Sequence, residues 1–272
     1  DAGKCATKYP VVLCHGMAMQ GKMFNIVDYF WGVEGAVEDE GGEIYAVSVN
    51  AMDSTQNKAV QFKKQLLEII AVSKAQKVNI IGHSHGTLYT RLAMSNMDCA
   101  KYVASHTSLC GPHRGSVVAD LVVGLLPNSA QYLIGSVLDL AYQLIMGDTN
   151  PNSIQNAYSL TRDYMKNTFN KTVPNVSGIY YQSWATQKTG PTADVVMEPT
   201  WLIMNILEGA SDGVVSVESA KWGTFRGIQK GSWWAGGVSH LNATGQFAGI
   251  TPGFDHKGWY VDMIADLKGK GY

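Results

Sequence analysis

A short apolar run that ends in Gly-x-Ser-x-Gly and leads directly into a helical pattern constrains this chain most. The run is VNIIGHSHG, residues 78–86, and the helical pattern begins at Thr87. This order of strand, sharp turn and helix is that of a nucleophile elbow, whose glycines permit a strained turn and close helix–strand contact. Such an elbow would expose Ser84 at the carboxyl edge of a sheet, beside the positive end of the next helix. The alternative is a glycine-rich turn with an inert serine.

A serine nucleophile needs a histidine base and an acid that orients the histidine. In hydrolases with a nucleophile elbow, the acid and the histidine both follow the serine in the chain. Of the seven histidines, only His240 and His256 lie late enough. Small residues surround His240 and favour it, whereas His256 is interpreted as having no catalytic role. Asp212, in an Asp-Gly turn before His240, is the candidate acid and is expected to end a strand. Glu208 is the next candidate.

The second signal of the same site is a buried strand pattern at residues 11–13, followed by His15 and Gly16. In hydrolases of this fold, one oxyanion donor is an amide of the loop after that strand, and the other follows the nucleophile. The donors are therefore expected to be the backbone N–H groups of Met17 and His85. His15 and His83 are interpreted as side chains that hydrogen-bond and shape the site.

Strand-like runs alternate with a helical pattern over the first 110 residues or so. The runs cover residues 11–13, 43–49, 78–81 and 102–108, and apolar residues recur at helical spacing through residues 58–73. Alternating elements predict an α/β fold, with a mostly parallel sheet and helices on both faces. The length of 272 residues suits one such domain over residues 1–272.

Between about residues 115 and 170 the pattern becomes helical and unusually apolar. One apolar cluster spans residues 116–126 and another spans residues 130–146, separated by Pro127-Asn128. The segment follows the strand beside the nucleophile strand, where cap or lid helices commonly lie. We interpret residues 115–170 as a helical lid over an acyl pocket, and an ordinary packed helical layer is the alternative. Exposed apolar surface on a lid would face lipid.

The charge balance excludes some classes of partner. Net charge is −1, from 21 basic and 22 acidic residues, so no nucleic-acid partner is indicated. No uninterrupted apolar run approaches the length of a transmembrane span. Residues 1–4 carry no signal-peptide pattern and are compatible with a mature start after cleavage.

The four cysteines are expected to play two roles. Cys14 and Cys110 follow strand-like runs and are expected to be buried thiols. Cys5 and Cys99 both precede such runs, so they should share the opposite edge of the sheet and form the most plausible disulfide. A disulfide would favour an oxidising compartment.

Taken together, these motifs resemble the secreted bacterial true lipases, the Pseudomonas/Proteus-type branch of lipase family I. The similar segments are residues 9–17, 28–32, 77–86, 112–116, 211–214 and 240–250. The resemblance implies the α/β-hydrolase fold, secretion, and a triad of Ser84, Asp212 and His240. It also implies Met17 and His85 as oxyanion donors, and it leaves open a secretion foldase as a partner.

The same resemblance implies one structural calcium ion beside the histidine loop, and no cofactor for catalysis. The matching ligand positions are Asp194, Asn242 and the carbonyl groups of Gln246 and Ile250. Asn242 departs from the family, which has a carboxylate there, and the spacing of Asp194 to the acid differs slightly. Fewer ligand charges predict weaker calcium binding.

These observations predict a serine hydrolase that cleaves carboxylic esters through an acyl-enzyme on Ser84. The expected substrate is a triacylglycerol at a lipid–water interface. One alternative is a carboxylesterase or an acyltransferase that acts on soluble esters. A second is a non-catalytic binding module that retains the hydrolase fold, and the complete set of site residues argues against it.

Overall fold

The protein contains a sheet of six parallel strands among the residues that the computed structural model describes. These are residues 3–17, 29–125, 151–190 and 197–272. The strands lie in the order β2-β1-β3-β4-β5-β6, and every neighbouring pair is parallel. The strands are β1 Val11–Cys14, β2 Ile44–Val47, β3 Val78–His83, β4 Val103–Leu109, β5 Tyr180–Thr186 and β6 Thr224–Gln229. The nucleophile strand β3 lies at the centre of the sheet, between β1 and β4.

Helices cover both faces of this sheet. They are α1 Val33–Asp39, α2 Thr55–Ser73, α3 Gly86–Asn96, α4 Val117–Val122, α5 Pro151–Tyr158, α6 Glu198–Leu207, α7 Val217–Ala220 and α8 His256–Gly269. Residues 162–172 form a further helical stretch in three short parts, Arg162–Tyr164, Met165–Phe169 and Asn170–Thr172. Among the described residues, no helix combines the length and the apolar character needed to cross a bilayer.

The alternation of side chains along β1 explains how the two layers are held. Successive residues of a strand point to opposite faces. Val12 accordingly packs with Phe62 of α2 in one buried cluster, whereas Val11 packs with Val37 of α1 and Tyr260 of α8 in the other. The predicted parallel α/β architecture is confirmed.

The four predicted strands are present, but β5 and β6 were not predicted. Strand β5 is buried without an apolar pattern, because its polar side chains are satisfied inside the sheet layer. Gln182 donates to Thr107 Oγ1 at 2.8 Å, and Ser183 Oγ accepts from the backbone N–H of Trp222 at 2.8 Å. A buried strand that depends on such hydrogen bonds does not show the periodicity that reveals an ordinary one.

The helical insertion is described only in part. Helix α4 is buried along its whole length, and Val117, Val118 and Val122 belong to the main hydrophobic cluster. This stretch therefore matches a packed helical layer. The second apolar cluster, residues 130–146, lies outside the described residues, so the predicted lid rests there on the sequence alone.

All four cysteines are buried free thiols. Cys5 packs in the cluster that contains α1 and α8, whereas Cys99 packs in the cluster on the opposite face of the sheet. The predicted Cys5–Cys99 disulfide is therefore wrong: both residues do precede a strand, but the sheet separates them. The expected burial of Cys14 and Cys110 as thiols is confirmed.

Candidate active site

Ser84 occupies a strained turn between β3 and α3. Its φ is +56°, a left-handed conformation that a non-glycine residue seldom adopts. The turn needs a residue without a side chain after it, because a Cβ on Gly86 would lie 2.2 Å from the carbonyl oxygen of Cys14. The backbone N–H of Ser84 donates to Leu109 O at 3.0 Å. The structure thus brings the predicted elbow to the carboxyl edge of the sheet, with Ser84 half-buried.

The loop after β1 lies against this elbow. A Cβ on Gly16 would lie 2.8 Å from Ser84 Cβ and 2.9 Å from the backbone nitrogen of His85. Only glycine permits so close an approach. The backbone N–H groups of Met17 and His85 have no hydrogen-bond acceptor among the described residues. Two unengaged donors beside a serine are the arrangement that an oxyanion hole requires.

His240 and Asp212 form the closest polar pair of the site. His240 Nδ1 lies 2.6 Å from Asp212 Oδ2, and the backbone N–H of His240 donates to Asp212 O at 2.9 Å. The other carboxylate oxygen accepts from the N–H groups of Val214 and Val215, at 2.8 and 2.7 Å. The Asp-Gly turn thus fixes the carboxylate, and the carboxylate can fix the tautomer of His240.

The prediction that Asp212 ends a strand is wrong. Asp212 lies in the loop between α6 and α7, and the chain returns to the end of β5 through a backbone hydrogen bond from Lys188 to Ser211, 2.9 Å long. Strand β5 therefore ends at Thr186, and an excursion through α6 separates it from the acid.

Ser84 and His240 line one cavity. Since Asp212 engages Nδ1 of His240, Nε2 is the nitrogen available towards Ser84. Most other lining side chains are apolar, and the described lining consists of Met17, Ser84, Pro112, Ser116, Leu160, Met197, Val214, Val215, His240 and Leu241. The site therefore combines a candidate nucleophile and a candidate base with space suited to an apolar group.

His83 joins the elbow to the histidine loop. Its Nε2 lies 3.0 Å from the carbonyl oxygen of His240, and its Nδ1 lies 2.6 Å from the hydroxyl of Tyr29. A carbonyl can only accept, so Nε2–H donates and Nδ1 accepts from Tyr29. Burial keeps the pKa of His83 well below its usual value, which keeps the ring neutral.

His15 fixes the loop that carries Gly16. Its Nε2 accepts the backbone N–H of Val49 at 3.0 Å, so Nδ1–H donates to Gly16 O at 2.7 Å. Burial lowers the pKa of His15 to about 4. Both His15 and His83 thus make the shaping hydrogen bonds that the sequence predicted for them.

Sequence reasoning missed a buried lysine beneath the elbow. Lys58 Nζ donates to His85 Nδ1 at 2.8 Å, and His85 Nε2–H donates to Thr55 Oγ1 at 2.8 Å. Lys58 is fully buried, and burial lowers its pKa to about 7. A signal was available, because Lys58 lies one helical turn before Phe62 on the apolar stripe of α2.

The two alternative candidates lie elsewhere. His256 begins α8, and its Nε2 lies 2.6 Å from the carbonyl oxygen of Trp31. Glu208 accepts the backbone N–H of Val117 at 2.7 Å, in the first turn of α4. Neither side chain is part of the cavity lining.

The three described residues among those matched to calcium ligands do not fit a calcium site. Asp194 lies outside the described residues, and Ile250 is 69% exposed. Asn242 Oδ1 accepts from the backbone of Ser239, and Asn242 Nδ2 donates to the carbonyl of Gln246. Two of the predicted ligand atoms, Asn242 Oδ1 and the carbonyl oxygen of Gln246, are thus already hydrogen-bonded within the protein.

One other grouping of ligand-type atoms occurs within the described ranges. His83, Cys110 and His240 place such atoms within 4.8 Å of one another. Hydrogen bonds already use both nitrogens of His83 and Nδ1 of His240. Burial and the nearby Asp212 raise the pKa of the Cys110 thiol well above its usual value, whereas a metal would need the thiolate. This grouping does not support a metal centre.

Comparisons with known proteins agree with the geometry. A model of the palmitoyl protein thioesterase family matches residues 10–181. A triacylglycerol lipase of Vibrio cholerae is 31% identical over 244 residues, which cover 81% of this chain and 76% of the relative. A triacylglycerol lipase of Pseudarthrobacter phenanthrenivorans is 28% identical over 227 residues, which cover 76% of this chain and 70% of the relative.

Two solved structures share the fold. The mature Bacillus licheniformis lipase BlEst2 aligns with a TM-score of 0.70 at 18% identity, over 95% of this chain and 92% of that one. The metagenomic carboxyl esterase MGS0156 aligns with a TM-score of 0.72 at 15% identity, over 97% of this chain and 76% of that one. These likenesses confirm the predicted α/β-hydrolase fold.

Proposed function

The chain belongs to the α/β-hydrolase family that contains palmitoyl protein thioesterase and the triacylglycerol lipases, and it is a carboxylic ester hydrolase. From this premise, we propose that it is a triacylglycerol lipase that works through an acyl-enzyme on Ser84. One observation carries the proposal. The Asp212–His240 pair and Ser84, on its strained turn, meet at one largely apolar cavity.

In the proposed mechanism, His240 Nε2 takes the proton of the Ser84 hydroxyl as its oxygen attacks the ester carbonyl. Asp212 holds the imidazole in the required tautomer and stabilises its cation. The N–H groups of Met17 and His85 stabilise the tetrahedral oxyanion, and loss of one such donor costs about 10²–10³ in rate. His240 then protonates the leaving alcohol, and water repeats the sequence on the acyl-enzyme.

The apolar side chains around Ser84 support an acyl chain as the group that is bound. Met17, Leu160 and Leu241 are among them. The apolar residues 133–146 support a lid over this cavity, by sequence alone. Secretion and membership in the Pseudomonas/Proteus branch rest on the resemblance. The free cysteines supply no separate argument for an oxidising compartment.

Thioester hydrolysis is the second candidate, because the family model that matches this chain is that of palmitoyl protein thioesterase. The same acyl-enzyme forms from an ester or a thioester, so only the leaving group distinguishes the two activities. We favour the ester, because the two curated relatives described above, which match 81% and 76% of this chain, are triacylglycerol lipases.

Two measurements test the proposal. A fluorophosphonate probe should label Ser84 and should fail to label Ser84→Ala. Hydrolysis of tributyrin, followed at constant pH across its solubility limit, should then be compared with hydrolysis of a soluble butyrate ester and of butyryl-coenzyme A. The emulsified triglyceride should give the highest kcat/KM, with a rise at the solubility limit. Labelling of another residue would exclude Ser84 as the nucleophile, and a preference for the thioester would favour the second candidate.

A further inference from the structure

The amide side chain of Asn242 bridges the two ends of the segment around His240, in addition to backbone hydrogen bonds such as that from Gln246 N–H to Leu241 O. Asn242 begins a short 3-10 helix, Asn242–Thr244, and is 4% exposed. Its position is the one at which the resemblance expects a carboxylate ligand of calcium. The hydrogen bonds of this amide show how this chain uses the position instead.

Both ends of the amide have partners. Asn242 Oδ1 accepts the backbone N–H of Ser239 at 3.0 Å, and Asn242 Nδ2 donates to the carbonyl oxygen of Gln246 at 2.7 Å. The partners fix the orientation of the amide, since an N–H can only donate and a carbonyl can only accept. The backbone N–H of Asn242 also donates to Ser239 Oγ at 3.2 Å. The side chain therefore ties the residue before His240 to the chain that follows it.

The chemistry of the same position with aspartate is different. A carboxylate has no donor, so its second oxygen would face the carbonyl oxygen of Gln246 with two partial negative charges in contact. A cation placed between the two oxygens removes that repulsion, and calcium favours such oxygen ligands. In this chain the side-chain Nδ2–H of Asn242 already satisfies the carbonyl oxygen of Gln246. This N–H group lies where a cation would have to bind.

We propose that Asn242 is a positioning residue that replaces a bridging calcium ion, so that the geometry of His240 does not depend on a divalent cation. His240 lies between the two anchor points, Ser239 and Gln246. The loop is joined to its surroundings on both sides, because Gln246 Nε2 also donates to Tyr29 O at 3.2 Å. Only the effect on catalysis rests on the proposed role of His240, and the structural part does not.

Thermal unfolding of the wild-type protein tests the structural part without reference to activity. Melting temperatures are compared in excess chelator and in millimolar calcium. An ion that binds only the folded state raises the melting temperature by mass action. We expect identical melting curves, and a rise in calcium would overturn the proposal whatever the substrate of the enzyme is.

The Asn242→Asp variant tests the exchange of amide for cation. In chelator, its melting temperature and its kcat should both fall, with KM nearly unchanged, because the base moves while the acyl cavity stays. A displacement of about 1 Å can cost about 10²-fold in rate. Calcium should restore both the melting temperature and kcat. Magnesium should restore them less well, because magnesium requires a stricter octahedral geometry than calcium does. A variant that matches the wild-type protein in chelator would overturn the proposal.

Asn79→Asp is the matched control. Asn79 is a fully buried amide with the same pattern, since its Oδ1 accepts from Ser105 Oγ at 2.7 Å and its Nδ2 donates to Tyr9 O at 3.0 Å. It belongs to β3, away from His240. Its variant should be destabilised in the same way, but with no response to calcium, because β1 and β4 pair with β3 on either side of Asn79 and leave an ion no path to a carboxylate there. An equal calcium response in both variants would overturn the proposal. Should Asn242→Asp not fold in chelator, purification in calcium followed by chelator addition gives the same comparison.

Discussion

The ammonium nitrogen of Lys58 lies 2.8 Å from Nδ1 of His85, the residue that follows Ser84. Both side chains are buried, and burial shifts both pKa values downward, that of Lys58 to about 7. Lys58 thus contacts the side chain of His85, whose backbone N–H is one of the two proposed oxyanion donors. The same burial makes Lys58 a measurable contributor to the pH dependence of stability.

Lys58→Met should change how stability depends on pH. The pKa of Lys58 is lowered from 10.5 to about 7 by folding, so between these values the unfolded chain holds a proton that the native state releases. Native stability therefore rises with pH across this window, by up to about 1.4 kcal/mol per pH unit. The variant loses this contribution. Urea unfolding at pH 7 and pH 9.5 should show the wild-type protein gaining stability relative to Lys58→Met.

Lys64→Met is the control for that comparison, because Lys64 is exposed on the same helix. Its free energy of unfolding should differ from the wild-type value by the same amount at both pH values. A constant difference for Lys58→Met as well would mean that Lys58 carries no depressed pKa.

Acid should unfold this protein more steeply than its carboxylates alone would cause. Burial lowers the pKa of His15 to about 4 and of His106 to about 3, and it holds His83, His85 and His113 well below their usual value. Each stays neutral in the native state while its unfolded form gains a proton below about pH 6.5. Each then removes about 1.4 kcal/mol of stability per pH unit. Urea midpoints at pH 7, 6 and 5 measure the slope.

His106→Gln isolates one of these contributions. Glutamine can still donate to Thr90 Oγ1, the partner of His106 Nε2 at 2.8 Å, but it does not titrate. Between pH 6 and pH 5 the variant should lose less stability than the wild-type protein, by about 1.4 kcal/mol. An unchanged slope would refute a neutral native His106.

Gly16→Ala should lower kcat by about 10²–10³, because the added Cβ pushes the Met17 loop away from Ser84 and His85. KM should change little, since the acyl cavity is otherwise intact. Gly35→Ala in α1 is the control. A Cβ there meets no neighbour within 4 Å, and alanine should stabilise the helix by about 0.5–1 kcal/mol. Steady-state hydrolysis of a soluble ester and thermal melting give both readouts. Wild-type kcat in Gly16→Ala would exclude this loop as an oxyanion donor.

Asp212→Asn should lower kcat by about 10⁴. The new amide oxygen can still accept from Val214 and Val215, but the amide nitrogen would then face His240 Nδ1 as a donor. This forces the imidazole proton to Nε2, the wrong tautomer for a base. Stopped assays with a soluble ester measure the loss.

Glu208→Gln is the paired variant, because the Glu208 carboxylate accepts the N–H of Val117 and a glutamine amide oxygen can do the same. Its kcat should equal that of the wild-type protein. A loss below about tenfold in Asp212→Asn, or a larger one in Glu208→Gln, would assign the orienting acid to another residue.

The sequence predicted those parts of the site whose geometry follows from local chemistry. Gly-x-Ser-x-Gly between an apolar run and a helical pattern predicts a nucleophile elbow, so the position of Ser84 followed from local sequence. The Asp-Gly turn around Asp212 was equally local. Lys58 was missed because a lysine on an apolar stripe is normally interpreted as an interruption of that stripe. Its partner His85 lies in a distant part of the sequence, directly before α3.

The fold was predictable where burial and apolar pattern coincide, as in β1 and β3. Strand β5 was missed because side-chain hydrogen bonds, such as that from Gln182 to Thr107, replace apolar contacts there. The Cys5–Cys99 disulfide failed for a related reason. An argument from strand ends gives the edge of the sheet but not its face, and the two thiols lie on different faces.

The hydrogen bond from His83 to the main chain of His240 joins two positions that are 157 residues apart in sequence. His83 directly precedes Ser84, so the proposed nucleophile and the proposed base share one attachment that does not pass through the intervening chain. Loops between them can then lengthen, shorten or be exchanged without transmitting a displacement to the reacting atoms, and loops are where folds accept such change. The loops between Ser84 and His240 are thus the part of this enzyme best suited to redesign for new acyl groups, with His83 kept as the fixed reference.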